Sequence, residues 1–361
     1  MDRKERVLMA IDHRQTDRLP MHINATKWVV EKLKNRLGIS TDRELMEKLC
    51  VDIYDMRGID LHTGIAPHYV GPENPLFSSL WAGNVMSFWG IEEIQKHTDS
   101  GYLWELPPAP LASASTIEEL ENYNWPSVEW FDFSDISERL SEWEDFCIMA
   151  SGCSVFQHAT FIRGMDNLMM DMCLQPEMAH FVLNKVADFY FEYYSRMFEV
   201  AGNKISVFAL ADDLGMQNSL LLSPELMEEY VFPNLKRMCD LAHKHGMKLL
   251  LHTCGNIESI IPRLVELGVD VLDPIQPECM DPLYIKEKYG KDICLRGGIS
   301  VQNIVSRGTV DEVESEARRI AETLKIGGGY IFSPGHPVLQ DDIPVENIIA
   351  LYEAGRKYGG F

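Results

Sequence analysis

Short aliphatic runs alternate with longer amphipathic runs along the second half of the chain, and this alternation limits the fold more than any other feature. The run at 204–213, KISVFALADD, is rich in β-branched and aromatic residues and predicts a strand. The segment 223–246 predicts a helix, because Ser223 can cap its start and Gly246 can end it. Such alternation is typical of a parallel sheet with helical crossovers.

Eight strands can be counted in this way along the whole chain. Eight strand–helix units predict a (β/α)8 TIM barrel of the α/β class more than a doubly wound sheet. No GxGxxG motif follows any strand, which removes the main reason to expect a dinucleotide-binding fold. The predicted strands are 19–24, 51–56, 146–152, 204–213, 247–255, 269–275, 292–299 and 328–336.

Residues 57–145 interrupt the alternation after the second strand. They are rich in aromatic residues, proline and glycine, as in LWELPPAPLASAS, and predict an antiparallel hairpin with irregular loops. We expect this segment to be an insertion or lid on a single barrel domain that spans 1–361, a length that barrels with insertions reach. The stretch 78–90, SSLWAGNVMSFWG, could form an apolar substrate wall or simply pack against the barrel.

The composition excludes several classes of partner. The formal net charge of −22 disfavours nucleic acid and anionic membranes, which bind basic patches. No uncharged apolar stretch of about 18 residues is present, and the charged N-terminal segment lacks the apolar core of a signal peptide. Eight cysteines lie between Cys50 and Cys294 without a CxxC pair, which favours reduced thiols. We therefore expect a cytoplasmic protein.

Nearly every predicted strand ends on a polar or titratable side chain. In a barrel, the carboxyl ends of the strands and the loops after them form the functional face. We expect the site at this end, which we call the mouth. The side chains concerned are Asn24, Asp55, Asp212, Asp213, His252, Cys254, Asp273, Gln276, Arg296 and His336.

His252 and Cys254 follow the aliphatic run 249–251 and are the predicted metal ligands. Imidazole and thiolate both suit zinc, and a third ligand from another strand would complete a site. The alternative is a hydrogen-bonded histidine beside a buried thiol, since cysteine often behaves as a small hydrophobic residue. His336, at the end of the last strand, is a candidate third ligand, general acid or helix cap.

Asp212, Asp213 and His336 are the predicted catalytic residues. Neighbouring residues of a strand point in opposite directions, so we expect one aspartate to face the mouth and the other to cap a helix. Asn24, Gln276 and Arg296 are the predicted substrate-binding residues. Arg296 precedes two glycines that let a ligand approach the backbone, and it either holds a carboxylate or pairs with a nearby acid.

The segment 211–276, from ADDLG to LDPIQ, resembles the uroporphyrinogen decarboxylase superfamily, and within it most closely the corrinoid-dependent methyltransferases. The opening RVLMAIDHRQTDRLPMHI and the closing segment from GGGYIFSPGH to EAGRKYG are similar to the two ends of that branch. The resemblance implies a (β/α)8 barrel and is weakest over the insertion.

Members that resemble methylcobamide:thiol methyltransferases bind zinc through an HxC pair and a late cysteine. His252 and Cys254 match the pair, whereas His336 in SPGHPV stands where the cysteine is expected. The resemblance therefore implies a zinc site with fewer thiolates, in which Asp213 or a water completes the ligands. Decarboxylases of the superfamily carry an arginine-rich segment near the N-terminus, where this chain has MHINATKWVV, although its Gly335–His336 pair looks decarboxylase-like.

The resemblance implies methyl transfer between a small substrate and the cobalt of a corrinoid. This chain has no DxHxxG-type cobalamin segment, so we expect the corrinoid on a separate partner protein. We favour an O-methyl substrate, an aromatic methyl ether, over a thiol acceptor because the late cysteine is missing. The same barrel could also serve as a lyase that acts on a small acid or as a non-catalytic binding protein.

Overall fold

The computed structural model describes residues 1–61, 63–72, 87–91, 94–98, 101–105, 108–336 and 338–361, with only the backbone of 87, 94–98 and 101–105. The strands are β1 (Asn24–Ala25), β2 (Ile53–Asp55), β3 (His68–Tyr69), β4 (Ile94–Thr98), β5 (Gly101–Glu105), β6 (Phe131–Asp132), β7 (Cys147–Cys153), β8 (Ile205–Ala211), β9 (Lys248–His252), β10 (Val271–Ile275), β11 (Cys294–Ile299), β12 (Tyr330–Pro334) and β13 (Val338–Leu339). The α-helices are α1 (Arg3–Ile11), α2 (Lys27–Leu37), α3 (Asp42–Lys48), α4 (Ile117–Glu121), α5 (Ile136–Leu140), α6 (Phe156–Arg163), α7 (Met165–Leu174), α8 (Pro176–Ala201), α9 (Pro224–Leu226), α10 (Phe232–Lys244), α11 (Ile261–Leu267), α12 (Pro282–Tyr289), α13 (Val310–Leu324) and α14 (Val345–Tyr358).

Seven parallel strands form the main sheet, in the order β2-β7-β8-β9-β10-β11-β12. The segment before β2 closes this sheet into a ring. On one side, Phe332 N donates to Pro20 O at 2.8 Å and His22 N donates to Phe332 O at 3.2 Å. On the other side, Asp52 N donates to Met21 O at 2.8 Å. The strand predicted at 19–24 therefore completes the ring as its eighth member, and the (β/α)8 barrel is confirmed.

The inward-facing side chains of the ring form an apolar level below a polar level. Because side chains alternate along a strand, the residue two positions after an inward residue also faces inward. The apolar level packs with α1 at the N-terminal end of the barrel and consists of Val7, Ile11, Ile53, Cys147, Met149, Val207, Ala209, Leu250, Val271, Cys294 and Ile331. The inward positions that follow hold Ala211 on β8 and polar residues on the other strands, namely Asp55, Ser151, His252, Asp273, Arg296 and Ser333. The interior thus changes from apolar to polar toward the mouth.

A group of paired charges covers the N-terminal end of the barrel. The buried carboxylate of Asp52 accepts hydrogen bonds from Arg6 Nη1 at 2.6 Å and from Arg18 Nη1 at 2.7 Å. It also accepts one from the backbone N of Met21 at 2.9 Å. Arg6 bonds in addition to Asp17, with Nε 2.7 Å from Oδ1. These contacts fix α1 and the first strand to the start of β2.

The insertion between β2 and β7 contains the predicted antiparallel hairpin, which β4 and β5 form. Strand β3, which precedes the hairpin in the chain, and strand β6, which follows it, form a second antiparallel pair. Most of the proposed apolar wall at 78–90 lies outside the described residues. Trp89 is buried, and its ring centroid lies 4.9 Å from that of Phe189 and 5.6 Å from that of Tyr190. For Trp89, the packing alternative is therefore the correct one.

The helix predicted over 223–246 is continuous but not uniform. A π-helical turn at Met227–Val231 separates α9 from α10, and Phe232 N donates to Met227 O. Pro233 has no N–H to donate to the carbonyl of Glu229, which explains why the turn widens there. Among the helices described, none is long and apolar enough to cross a membrane.

All eight cysteines are free, as the sequence predicts for reduced thiols. Four of them, Cys147, Cys153, Cys239 and Cys294, are buried, and burial raises the pKa of the Cys147, Cys239 and Cys294 thiols to about 12. A thiol that stays protonated is a poor nucleophile and a poor metal ligand. Cys254 is only partly buried and lies at the mouth, which sets it apart from these four.

Candidate functional site

Three side chains with metal-binding atoms meet at the mouth: Asp213, His252 and Cys254. Their ligand atoms all lie within 4.8 Å of one another. Cys254 Sγ is 3.6 Å from His252 Nε2, and that nitrogen is 3.8 Å from Asp213 Oδ1. Tetrahedral zinc with bonds of about 2.0–2.3 Å separates its ligand atoms by roughly 3.3–3.8 Å. The spacing of this group, which we call the triad, therefore fits zinc.

Close contact between the loops after β8 and β9 brings the triad together. A Cβ atom on Gly255 would lie 2.4 Å from the carbonyl carbon of Gly215, so glycine is required for the loops to touch. Gly255 also has a φ of 91°, in the left-handed region. Across this contact Cys254 N donates to Asp213 Oδ1 at 2.9 Å. The aspartate is thereby held beside the HxC pair.

Asp273 orients the imidazole of His252 from the neighbouring strand. The two residues are register partners in β9 and β10, and His252 Nδ1 lies 2.8 Å from Asp273 Oδ2. This contact leaves His252 Nε2 directed at Cys254 and Asp213. Metal-binding histidines commonly bond to a carboxylate through their other nitrogen, which fixes the ring and makes it a stronger ligand. The arrangement therefore provides both the ligands and their support.

Arg296 completes this row from β11. Its Nε donates to Asp273 Oδ1 at 2.7 Å and its Nη2 donates to Asp273 Oδ2 at 3.2 Å. Burial alone would raise the pKa of Asp273, but Arg296 and His252 hold it below its usual range. Burial also opposes protonation of His252, yet hydrogen bonds to Asp273 and Cys254 raise its pKa to about 10. Carboxylates on both sides of the ring, Asp273 at Nδ1 and Asp213 at Nε2, thus stabilise positive charge on His252, and a metal ion at Nε2 would replace the proton there.

The two adjacent aspartates diverge, as the alternation of a strand predicts. Asp213 joins the triad, whereas Asp212 is buried and accepts hydrogen bonds from Ser154 Oγ at 3.0 Å and from Gln157 N at 2.9 Å. These contacts hold the start of α6. Burial raises the pKa of Asp212 to about 6, although the donors oppose that rise. The structure thus places Asp212 under α6 and away from the triad.

His336 is not part of the triad. Its Nδ1 lies 3.1 Å from Val338 O and 3.3 Å from Val338 N. A neutral ring that donates to the carbonyl presents a lone pair at Nε2, whereas one that accepts from the backbone N–H carries its proton at Nε2. Burial lowers its pKa below the ordinary value. A role as proton donor requires the charged ring, which this environment disfavours, whereas a role as a ligand or proton acceptor does not. The predicted roles of His336 as ligand and as catalytic residue stay predictions.

The three predicted substrate-binding residues have different surroundings. Gln276 accepts a hydrogen bond from Gly255 N at 3.3 Å and so supports the turn after Cys254. Arg296 pairs with Asp273, which is the predicted pairing with a nearby acid. Its Nη1, however, has no hydrogen-bond partner among the described residues. The Nδ2 atom of Asn24 is also buried and unpartnered in the described part of the chain. Arg296 and Asn24 thus keep a donor for a ligand.

The sequence alone does not reveal several polar residues at the mouth. Asp273 stands at a strand end without a predicted role, and His22, Arg57 and Ser151 are not among the predicted site residues. Ser151 Oγ donates to Asp55, and Arg57 Nε donates to Ser151 Oγ at 2.7 Å. Strand alternation is the signal that could have found Asp273 and Ser151, since each lies two positions after an inward apolar residue.

Comparison with known proteins assigns the family. The family model described as Uroporphyrinogen decarboxylase (URO-D) matches residues 132–358, more than half of the chain. The chain belongs to the uroporphyrinogen decarboxylase family. The family predicted from the sequence is therefore confirmed.

Relatives within this family carry different names. A "Methylated-thiol--coenzyme M methyltransferase" from Methanosarcina mazei is 26% identical over 222 residues, which cover 60% of this chain and 58% of the relative. A uroporphyrinogen decarboxylase from Picosynechococcus sp. is 26% identical over 191 residues, which cover 52% of this chain and 50% of the relative. The chain thus aligns with little more than half the length of these curated relatives.

A solved structure resembles the whole chain. It is described as a methyltransferase from Methanosarcina mazei, has a TM-score of 0.68 and 18% identity, and covers 99% of both chains. At this identity the likeness shows the shared barrel fold, and the insertion is included in the matched length. It agrees with the ring closure seen in the hydrogen bonds.

Proposed function

We propose that this protein transfers a methyl group between a small substrate and the cobalt of a corrinoid carried by a separate protein. The observation that carries the proposal is the triad at the mouth, because three protein ligands leave one tetrahedral position for a substrate atom. The relative named as a methylated-thiol methyltransferase supports methyl transfer as the reaction class.

In this proposal Asp213, His252 and Cys254 hold zinc. Zinc in such a site acts as a Lewis acid on the substrate atom that it binds. Asp273 fixes the ring of His252 through Nδ1, and Arg296 neutralises the charge of Asp273. The chain itself therefore supplies a rigid ligand set that is held from β8, β9 and β10.

The ligand set favours an O-methyl substrate, and specifically an aromatic methyl ether. Asp213 and Cys254 contribute one negative charge each, so a divalent metal is neutralised by a single thiolate and a carboxylate. A site with fewer thiolates is less electron-rich and withdraws electrons from a leaving oxygen more strongly. Asp213 and His336 are the proposed catalytic residues around this position, and the insertion is the proposed lid.

The second candidate is transfer of the methyl group to a thiol. The name of the M. mazei relative, a methylated-thiol methyltransferase, favours it. The tautomer of His336 that donates to Val338 O has a lone pair at Nε2, which suits proton removal from a thiol better than proton donation to an oxygen. The ether and thiol directions therefore make different demands on the same side chain.

Decarboxylation and binding without catalysis are less well supported. A decarboxylase for an octacarboxylate tetrapyrrole needs many cations at its mouth, and the described mouth has Arg57 and Arg296, each of which faces an aspartate. A lyase that acts on a smaller acid would release CO2 without a corrinoid. A non-catalytic binding protein would not explain why the triad is oriented by Asp273.

The deciding experiment is a methyl-transfer assay with a reduced corrinoid protein. We expect methoxyarenes to convert the cobalt spectrum to the methylated form with zinc-loaded enzyme, and Cys254→Ser to abolish the change. Cys279→Ser, which alters another half-buried thiol on the next loop, is the matched control and should retain activity. Reaction with thiols alone would favour the second candidate, and no spectral change with either class would contradict the proposal.

A further inference from the structure

Four buried polar atoms on the inner wall of the mouth have no hydrogen-bond partner within the described residues. They are His22 Nε2, Asn24 Nδ2, Asp55 Oδ2 and Arg296 Nη1. Asp55 Oδ2 lies 3.5 Å from Arg57 Nη2, so an ion pair accounts for it and three atoms remain. The exposed fraction is 1% for His22, 3% for Asn24 and 2% for Arg296. An unsatisfied buried donor costs about 1–3 kcal/mol, so three of them at one end of a barrel require an explanation.

These atoms belong to one arc of the barrel wall. Met21 and Ile23 pack in the main hydrophobic core outside the ring, so His22 and Asn24, which alternate with them, face inward. Arg296 faces inward from β11, and β12 lies between β11 and the first strand. The arc therefore runs over three neighbouring strands, and one strand, β10, separates it from β9, which carries His252.

The chemistry of this arc is that of hydrogen-bond donors. The guanidinium of Arg296 cannot accept a hydrogen bond, and Asn24 presents its Nδ2 donor. Arg296 already uses Nε and Nη2 on Asp273, so only Nη1 is left for a ligand. His22 adds no charge, because burial and the nearby Arg296 keep its pKa well below the ordinary value.

We propose that Arg296 Nη1 and Asn24 Nδ2 bind a carboxylate of the substrate, which is then a methyl compound that carries an acid group. A carboxylate offers two acceptor oxygens, and hydrogen bonds from a guanidinium to a charged oxygen are among the strongest in proteins. The inference rests on the proposed function, since it assigns the part of the substrate that does not react.

The contacts of Asp273 limit the size of this substrate. His252 Nδ1 and Arg296 Nη2 both bond to Asp273 Oδ2, at 2.8 Å and 3.2 Å, so these two nitrogens lie at most 6.0 Å apart. The remaining nitrogens of the same two side chains, His252 Nε2 and Arg296 Nη1, are therefore also near each other. One aromatic ring with an acid group opposite its methoxy group suits a gap of this size. We therefore expect a methoxybenzoate type of compound.

The test measures binding alone, by calorimetry, without a corrinoid protein. The probes are 4-methoxybenzoate and methoxybenzene, which differ by the carboxylate. We expect 4-methoxybenzoate to bind at least about tenfold more tightly, a difference of about 1.4 kcal/mol. Equal affinities for the two probes would overturn the inference.

Variants locate the effect. Asn24→Asp places a negative charge against the carboxylate and should weaken binding of 4-methoxybenzoate at least tenfold, with no change for methoxybenzene. Gln217→Glu makes the same amide-to-acid change on an exposed loop side chain and should change neither affinity. Unchanged binding of 4-methoxybenzoate in Asn24→Asp would contradict the site.

A second variant covers the case in which Asn24→Asp does not fold. Arg296→Lys keeps a positive charge beside Asp273, but a single ammonium group cannot serve Asp273 and a ligand as a guanidinium can. We expect the same loss of carboxylate preference, and retention of that preference would overturn the inference. If methoxybenzene donates its methyl group and binds as tightly as 4-methoxybenzoate, only this inference is contradicted. If 4-methoxybenzoate binds more tightly but neither compound donates a methyl group, only the proposed function is contradicted.

Discussion

The two ends of the barrel use buried charges in opposite ways. At the N-terminal end, Asp52 receives four hydrogen bonds of 2.6–2.9 Å, and both of its arginine partners are satisfied there. At the mouth, Arg296 pairs with Asp273, but its Nη1 has no hydrogen-bond partner among the described residues. The Nδ2 atom of Asn24 also has none there. Complete pairing stabilises a fold, whereas buried groups without partners are ready for a ligand. Within the described ranges, His13 Nδ1 and Ser206 Oγ are also buried and unpartnered outside the mouth, so the contrast that points to the mouth is the one between the fully paired Asp52 group and the partly paired Asp273 group.

Removal of the carboxylate at the N-terminal end should have the largest effect on stability. Asp52→Asn leaves Arg6 and Arg18 without a buried counter-charge, and the loss of one partner of a buried pair costs about 3–5 kcal/mol. Urea unfolding should show this decrease in the free energy of unfolding, while zinc content stays unchanged. A decrease below about 1 kcal/mol would remove the contrast between the two ends.

At the mouth, the corresponding change should affect metal binding. Asp273→Asn weakens the support of His252, and loss of such a partner typically lowers metal affinity about 10–100-fold. Competition with a chelator measures this affinity. The matched control is Asp270→Asn, because Asp270 lies one residue before β10 and contacts His243 instead of His252. This variant should bind zinc as the unmodified protein does. Equal affinities in the two variants would argue against the orienting role.

A buried histidine next to the mouth should make stability depend on pH. His158 on α6 bonds to Tyr190 OH, and burial lowers its pKa to about 3. Because the folded pKa lies below the unfolded value of 6.5, stability falls as the pH drops below 6.5. This one group should cost about 1.4 kcal/mol between pH 7.5 and 5.5. Urea unfolding of His158→Gln should show a smaller change over this range, and an identical change would contradict the assignment.

The smallest effect should come from an exposed ion pair. Arg263 Nε lies 2.7 Å from Glu228 Oε1, and both side chains are at least 40% exposed. Exposed pairs contribute about 0–1 kcal/mol, so Arg263→Ala should lower the free energy of unfolding by less than about 1 kcal/mol. A loss comparable to that of Asp52→Asn would mean that burial does not explain the contrast.

The barrel could be predicted from the sequence because its strands are short apolar runs that alternate with capped helices. The eight strands and the hairpin of the insertion follow from this pattern, and so does the divergence of Asp212 and Asp213. The ring closure and the π-helical turn depend on tertiary contacts and on Pro233, which a pattern of hydrophobic residues does not reveal.

The site could be predicted only in part. His252 and Cys254 are recognisable because they are two apart at a strand end, but the choice between Asp213 and His336 as the next ligand depends on how loops pack. The contact between Gly215 and Gly255 favours Asp213. The role of Asp273 follows from strand register, which one strand read alone does not provide.

The most direct test of the account is the metal content of the protein together with its X-ray absorption spectrum. We expect about one zinc per chain, with one sulfur and two or more nitrogen or oxygen ligands, and loss of the zinc in Cys254→Ser but not in Cys279→Ser. Absence of zinc after careful reconstitution, or two sulfur ligands, would contradict the triad of Asp213, His252 and Cys254.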